Sequence, residues 1–147
     1  LPAFIRLGDI REAAITQGKI ANIRAAQGRL EEALALQEQR LTPNRKLGDA
    51  DGIASTLWDI SRIERQRERS EQAIPRLAEA WSIFQRIGRA EGIAVVGETY
   101  GQILAAAGDP EEARAVLGLS AAAYRKLGRA AEAEQVEAAI RALESQQ

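Results

Sequence analysis

Apolar residues recur along this chain at the three- and four-residue spacings of a single helix face, in segments of similar length. Residues 50–66 carry Ile53, Leu57, Ile60 and Ile63; residues 70–86 carry Ala73, Ile74, Leu77, Trp81 and Phe84; residues 90–106 carry Ile93, Tyr100, Ile103 and Leu104. That period puts each set on one stripe of an α-helix. Residues 30–46 repeat the pattern with Leu30, Ala33, Leu34 and Leu41, and residues 130–143 with Ala133, Val136, Ala139, Ile140 and Leu143. Helices are also predicted over 9–26 and 110–126. No Val- or Thr-rich alternating run appears, so no strand is predicted and the fold class is all-α.

The segments are separated by a recurring mark. Leu7-Gly8, Leu47-Gly48, Ile87-Gly88 and Leu127-Gly128 lie 40 residues apart, with Gln27-Gly28, Arg67-Glu68 and Ala107-Gly108 half-way between. A fixed period of this length marks a stacked helical repeat. The predicted organisation is one domain over 1–147: the tail of a preceding helix over 1–8, repeats at 9–48, 49–88 and 89–128, and a capping helix at 129–147. Terminal repeats must cover the last apolar face while showing water a polar one; Glu132, Glu134, Glu137 and Arg141 are placed to face out. Methionine is absent, so Leu1 reads as an internal position of a longer chain.

Local chemistry sharpens the boundaries. Gly8 suits the residue just past a helix end and Asp9 the N-cap of the next; Asp49 repeats the device, whereas Arg89 and Arg129 offer weaker caps. Ser70 is a candidate cap, and Asp109-Pro110-Glu111-Glu112 is the strongest helix start in the chain. Phe4, Phe84 and Tyr124 share one repeat position and predict a large buried plug; Asn44 is the exception there. Pro43 and Pro75 fall inside predicted helices, where a proline costs about 3 kcal/mol. A bend or early end near Thr42, loosely packed around Asn44, is therefore expected.

Composition removes most chemistry. Net charge is −1 with acids and bases interleaved, too balanced to recruit nucleic acid or an anionic membrane. No apolar run approaches the roughly 18 residues of a membrane span. Cysteine and histidine are both absent, which removes disulfides, thiol nucleophiles, the usual zinc ligands and imidazole acid–base chemistry. No cofactor or metal site is expected. The lack of cysteine is compatible with a cytoplasmic protein, the expected location. The acid pairs Glu31/Glu32 and Glu111/Glu112 sit at helix starts, where they complement the dipole; Gly88-Arg89-Ala90-Glu91-Gly92 lacks the lysine and preceding strand of a phosphate loop. A non-enzyme is expected.

Ala33, Ala73 and Ala113, with Ala21, Ser61 and Gly101 each preceded by a large residue (Ile20, Ile60, Tyr100), and the inter-helix Gly28 and Gly108, resemble the pattern of tetratricopeptide repeats. Gly28-Arg29-Leu30-Glu31-Glu32-Ala33 and Gly108-Asp109-Pro110-Glu111-Glu112-Ala113 carry the likeness most strongly. The usual period is about 34 residues; the longer one here is similar to kinesin light chain-like proteins and to repeat arrays of signalling ATPases. The resemblance implies a right-handed α-solenoid of antiparallel helix pairs, about three repeats plus the capping helix, whose first helices line a concave face that binds a protein or peptide segment.

Carried over by position, the candidate partner-binding residues are Asn22, Trp58, Arg62, Arg65, Glu98 and Gln102. Trp58, Arg62 and Arg65 stand at i, i+4, i+7, and Asn22, Arg62 and Gln102 occupy equivalent places. A tryptophan beside two guanidinium groups can stack on an apolar side chain and grip a carboxylate, so an acidic segment is favoured. Against this, Trp58 could fold into a helix seam while the arginines pair with Glu64 or Glu68 in solvent. Trp81 reads as core, and the charged run from Arg62 to Glu71 as a solvated helix end. Two other roles remain open: self-association through the exposed N-terminal end, motivated by the truncated helix at Leu1–Leu7, and a sensor segment of a larger signalling ATPase.

Overall fold

The computed structural model describes the backbone of residues 2–146 and the side chains of residues 8–146. Among these, every regular element is an α-helix: α1 (Pro2–Ala26), α2 (Leu30–Leu47), α3 (Ala50–Gln66), α4 (Ser70–Ile87), α5 (Ala90–Ala106), α6 (Pro110–Lys126) and α7 (Ala130–Ser145). The packing roles expected for Leu1, Phe4 and Leu7 fall outside the described side chains.

One device makes all six turns. The first or second residue past each helix is left-handed: Gly28, Gly48, Gly88, Gly108, Gly128 and, in the place of a glycine, Glu68 (φ 59°). The next residue's amide then bonds the carbonyl five positions back, as in Arg29 to Arg24, Asp49 to Asn44 and Arg69 to Glu64, and again in Arg89 to Phe84, Asp109 to Leu104 and Arg129 to Tyr124. Carbonyls orphaned at the helix end are thereby satisfied before the chain reverses. The structural repeat is thus a turn every 20 residues. Caps follow the sequence in part. Asp49 accepts from the Gly52 amide and Asp109 from the Glu112 amide, while Arg29, Arg89 and Arg129 make no side-chain cap. Ser70 is the first helical residue, and the Arg69 carbonyl before it takes the first helical bonds.

Two expectations fail here. Gly8 and Asp9 do not end or start a helix, since α1 runs through both. A glycine costs a helix only about 1 kcal/mol, so it breaks one only where packing of the two halves rewards a turn. Pro43 does not end α2 either. Gln39, whose carbonyl loses its helical donor, is exposed and open to water, and the turn beyond the proline is pinned by Asn44. That residue is not loosely packed: it is buried and donates to Thr56 Oγ1 (3.0 Å) and the Gly52 carbonyl (3.3 Å), which also accepts from Thr56 (2.8 Å).

The chain divides into two compact units, Leu1–Arg76 and Leu77–Gln147. In the first, α2 packs on both α1 and α3, with Ala14, Ala21, Ala33, Leu41, Ala54, Leu57, Ile60 and Ile63 buried. In the second, α6 packs on α5 and α7. Its core holds Ala94, Leu117, Ala121, Tyr124, Ala133 and Val136, with Ile93, Ala139, Ile140 and Leu143 laid against it; α7 covers this face as predicted. Trp81 and the plug residues Phe84 and Tyr124 are buried. Glycines make the large side chains fit: a Cβ on Gly97 would sit 2.6 Å from the Trp81 ring, and one on Gly92 2.4 Å from Phe84.

Candidate interaction clefts on the first unit

Helix α3 presents Asp59, Arg62, Ile63 and Gln66 at i, i+3, i+4, i+7, and α1 presents Asn22, Ala25 and Ala26 at i, i+3, i+4. Each set therefore lies on one helix face. The two faces enclose a cleft of about 410 Å³. A second cleft, of about 300 Å³, is lined by Arg62, Arg65 and Gln66, so Arg62 and Gln66 border both.

The charges are not free to rearrange equally. Asp59 is largely buried: its Oδ2 lies 3.4 Å from Arg40 Nη1 and its Oδ1 3.6 Å from Arg62 Nη1. Burial pushes the Asp59 carboxyl above its ordinary range, against the pull of the Arg40 and Arg62 guanidiniums. Arg40 itself donates to the Gln37 side-chain carbonyl (3.1 Å) and lies against Gly18, where a Cβ would come 2.7 Å from its Cζ. The Gln37 Nε2 and the Arg40 Nε are buried without a hydrogen-bond partner. Arg62 is exposed, so its pair with Asp59 is a loose tether.

Of the six residues proposed from sequence, the structure brings Asn22 and Arg62 into one cleft and sets Arg65 in the adjoining one. Trp58 is half-buried and lines neither. Glu98 and Gln102 belong to the second unit. There the Glu98 carboxylate accepts the Tyr124 hydroxyl at 2.7 Å. Burial first, and then Glu98, drives the phenol pKa up, so Glu98 is engaged in holding the α5–α6 pair. Gln102 is exposed. The charged run from Arg62 to Glu71 is not uniformly solvated. Glu64 is buried beside Arg67 (3.5 Å), and Arg67 also reaches Glu31 on α2. Sequence reasoning missed Asp59 and Gln66; the signal was their shared face with Arg62, at i−3 and i+4. Among the described residues no helix is long and apolar enough to cross a membrane, and no cluster of metal-ligating side chains occurs.

Comparison with known proteins bears on the same region. A family model of the tetratricopeptide repeat matches residues 12–86. The structure is similar to that of BtubC (BKLC) from P. vanneervenii, with TM-score 0.58 and 18% identity over 90% of this chain and 63% of that one. It is also similar to a kinesin light chain-like protein of nearly identical TPR-like repeats from Podosopora anserina, with TM-score 0.62 and 18% identity over 90% of this chain and 75% of that one. Among curated proteins none matches. The chain thus spans less than two thirds of the BtubC chain. At this identity the likeness speaks for the fold, an all-α helical repeat of paired helices, as the 40-residue period predicted.

Proposed function

Because the chain belongs to the tetratricopeptide repeat family, whose members generally serve as protein-interaction scaffolds, we propose that it is a non-catalytic module binding a protein or peptide segment through the α1–α3 clefts. The observation that carries this reading is the convergence of Asn22, Asp59, Arg62 and Gln66 on one cleft, continuous through Arg62 and Gln66 with a second that adds Arg65. Concave sites with a few convergent polar groups over apolar walls are where ligands bind. The second cleft carries two guanidiniums and no carboxylate, and an acidic side chain of the partner belongs there. Trp58, which lines neither cleft, is left out of the proposed contact.

The test is a pull-down from lysate of the source organism with wild type and an Arg62→Glu/Arg65→Glu variant of unchanged helicity. A protein held by wild type and lost by the variant is the expected result. Equal capture by both moves the site off these clefts.

A second reading is favoured by one observation. Ile15, Ile20 and Ile23 of α1 are exposed, whereas Ile60 and Ile63, at the positions equivalent to Ile20 and Ile23, are buried in α3. An apolar helix face of this kind is a self-association surface, and a concentration-dependent sedimentation coefficient, abolished by Ile20→Lys/Ile23→Lys, would support it. A strict monomer across the range removes it.

A further inference from the structure

The second cleft suits an anion, but the first does not, because a carboxylate already lines it. Asp59 Oδ2 accepts one long hydrogen bond from Arg40 (3.4 Å), while Oδ1 lies 3.6 Å from Arg62, beyond the usual 2.7–3.2 Å of a nitrogen–oxygen hydrogen bond. An ionised carboxylate accepts about four donors, so Asp59 retains acceptor capacity in a place where burial has stripped water from it. Around it stand donors, Arg62 and Gln66 on the same face of α3 and Asn22 on α1, and the two amide groups also accept. Ala25, Ala26 and Ile63 complete the lining with short apolar surface.

We infer that this cleft selects a neutral carboxamide, the side chain of a glutamine or asparagine in the bound segment, and that Asp59 is its specificity-determining residue. The inference rests on the peptide-binding reading above and narrows it. A carboxamide brings N–H donors to Asp59 and a carbonyl oxygen to Arg62, and it carries no charge. A carboxylate would satisfy Arg62 but set like charge against the mostly buried Asp59 carboxylate. An ammonium would satisfy Asp59 but face the Arg40 and Arg62 guanidiniums. Specificity here comes from the repulsive element as much as from the attractive one. Together the clefts describe a segment with an amide side chain near an acidic one. The raised pKa of Asp59 is consistent with an under-solvated carboxylate awaiting a donor.

The experiment is an amide NMR titration of the whole chain at neutral pH with two capped alanine pentapeptides, one with a central glutamine and one with a central glutamate. Wild type should show shifts at Asn22, Asp59, Arg62 and Gln66, with affinity about tenfold higher for the glutamine peptide, equivalent to about 1.4 kcal/mol. Asp59→Asn should erase or invert that preference. Should Asp59→Asn fail to fold, Arg62→Gln serves instead: with the attraction for an anion gone and Asp59 still present, the glutamine preference should widen. Tighter binding of the glutamate peptide by wild type at these residues, or an unchanged ratio in Asp59→Asn, overturns the inference and leaves the wider reading intact. If neither peptide moves these signals, the inference fails as well. The wider reading then stands or falls on whether the lysate partner is lost with Arg62 and Arg65.

Discussion

The two compact units of this chain solve the same packing problem with opposite chemistry. In the second unit the inward positions of the second helix of a pair are Leu117, Ser120, Ala121 and Tyr124 on α6, with Leu77, Ala80, Trp81 and Phe84 at the equivalent places of α4; all are buried. In the first unit the same positions on α2 hold Gln37, Arg40, Leu41 and Asn44. Burial carries most of this mainly apolar version, at roughly 25 cal/mol per Å² of apolar surface removed from water, with Ser120 donating to the Ala94 carbonyl and Tyr124 to Glu98. The polar version must find a partner for every donor and acceptor, and it does so incompletely: Gln37 Nε2 and Arg40 Nε stay unmet. Either seam is closed by the same left-handed turn and five-back hydrogen bond. What the polar seam adds is Arg40 beneath Asp59, and with it the charge that gives the α1–α3 cleft its character.

The largest effect should separate the seams directly. Leu117 is 1% exposed and fills the space over Gly101, where a Cβ would lie 2.5 Å from it. Leu117→Ala leaves a cavity and should cost about 3 kcal/mol. Gln37→Ala, at the equivalent position, removes an amide whose nitrogen is already unpaired and should cost about 1 kcal/mol. Urea denaturation followed by helical circular dichroism measures both. Equal costs would mean that Gln37 is better satisfied than the contacts show, and the contrast between the seams would be lost.

A medium effect should come from exchanging the chemistry. Asn44 and Thr56 satisfy each other, and their equivalents are Phe84 and Val96, both buried. Gly52 corresponds to Gly92, whose missing Cβ makes room for the Phe84 ring. Asn44→Phe/Thr56→Val removes both polar partners together, which leaves no orphaned group, and buries a phenyl ring worth about 2 kcal/mol. A gain in stability of about 1–2 kcal/mol is expected by the same denaturation measurement. A loss would show that the polar knot suits this site better than an aromatic plug does.

These contrasts also mark what was legible in the chain. Helix positions were legible because the turn residues repeat at fixed offsets; the ends of α3 and α5 match the predicted 50–66 and 90–106. The break at Gly8 was not, since a glycine permits a turn without compelling one. The polar seam was half legible: Asn44 stood out from Phe84 and Tyr124, but its partners Gly52 and Thr56 lie on the next helix, where the sequence pattern of α2 gives no hint of them. Arg62 was found through its kinship with Asn22 and Gln102. Asp59 was missed because its equivalents, Lys19, Thr99 and Ala139, share no chemistry with it. Its role exists only through Arg40 on a different helix. Residue patterns report helices well and cross-helix polar pairs poorly, because the former are periodic in sequence and the latter are not.

The smallest effect concerns the one turn that departs from the rule. Glu68 holds φ 59° where the other five turns place glycine, and a left-handed residue with a Cβ costs roughly 1–2 kcal/mol. Glu68 is exposed, so replacing it removes no packing. Glu68→Gly should relieve the backbone strain, while the greater freedom of glycine in the unfolded chain takes back part of the gain. A net rise of about 0.5–1 kcal/mol is expected, read as a higher denaturation midpoint at unchanged slope. The control is Gly28→Ala at the equivalent position, which imposes the same strain on the first turn of this unit and should lower the midpoint by a similar amount. If both substitutions left the midpoint unmoved, the turn geometry would be carried by the paired helices alone. The glycines would then mark the repeat without holding it.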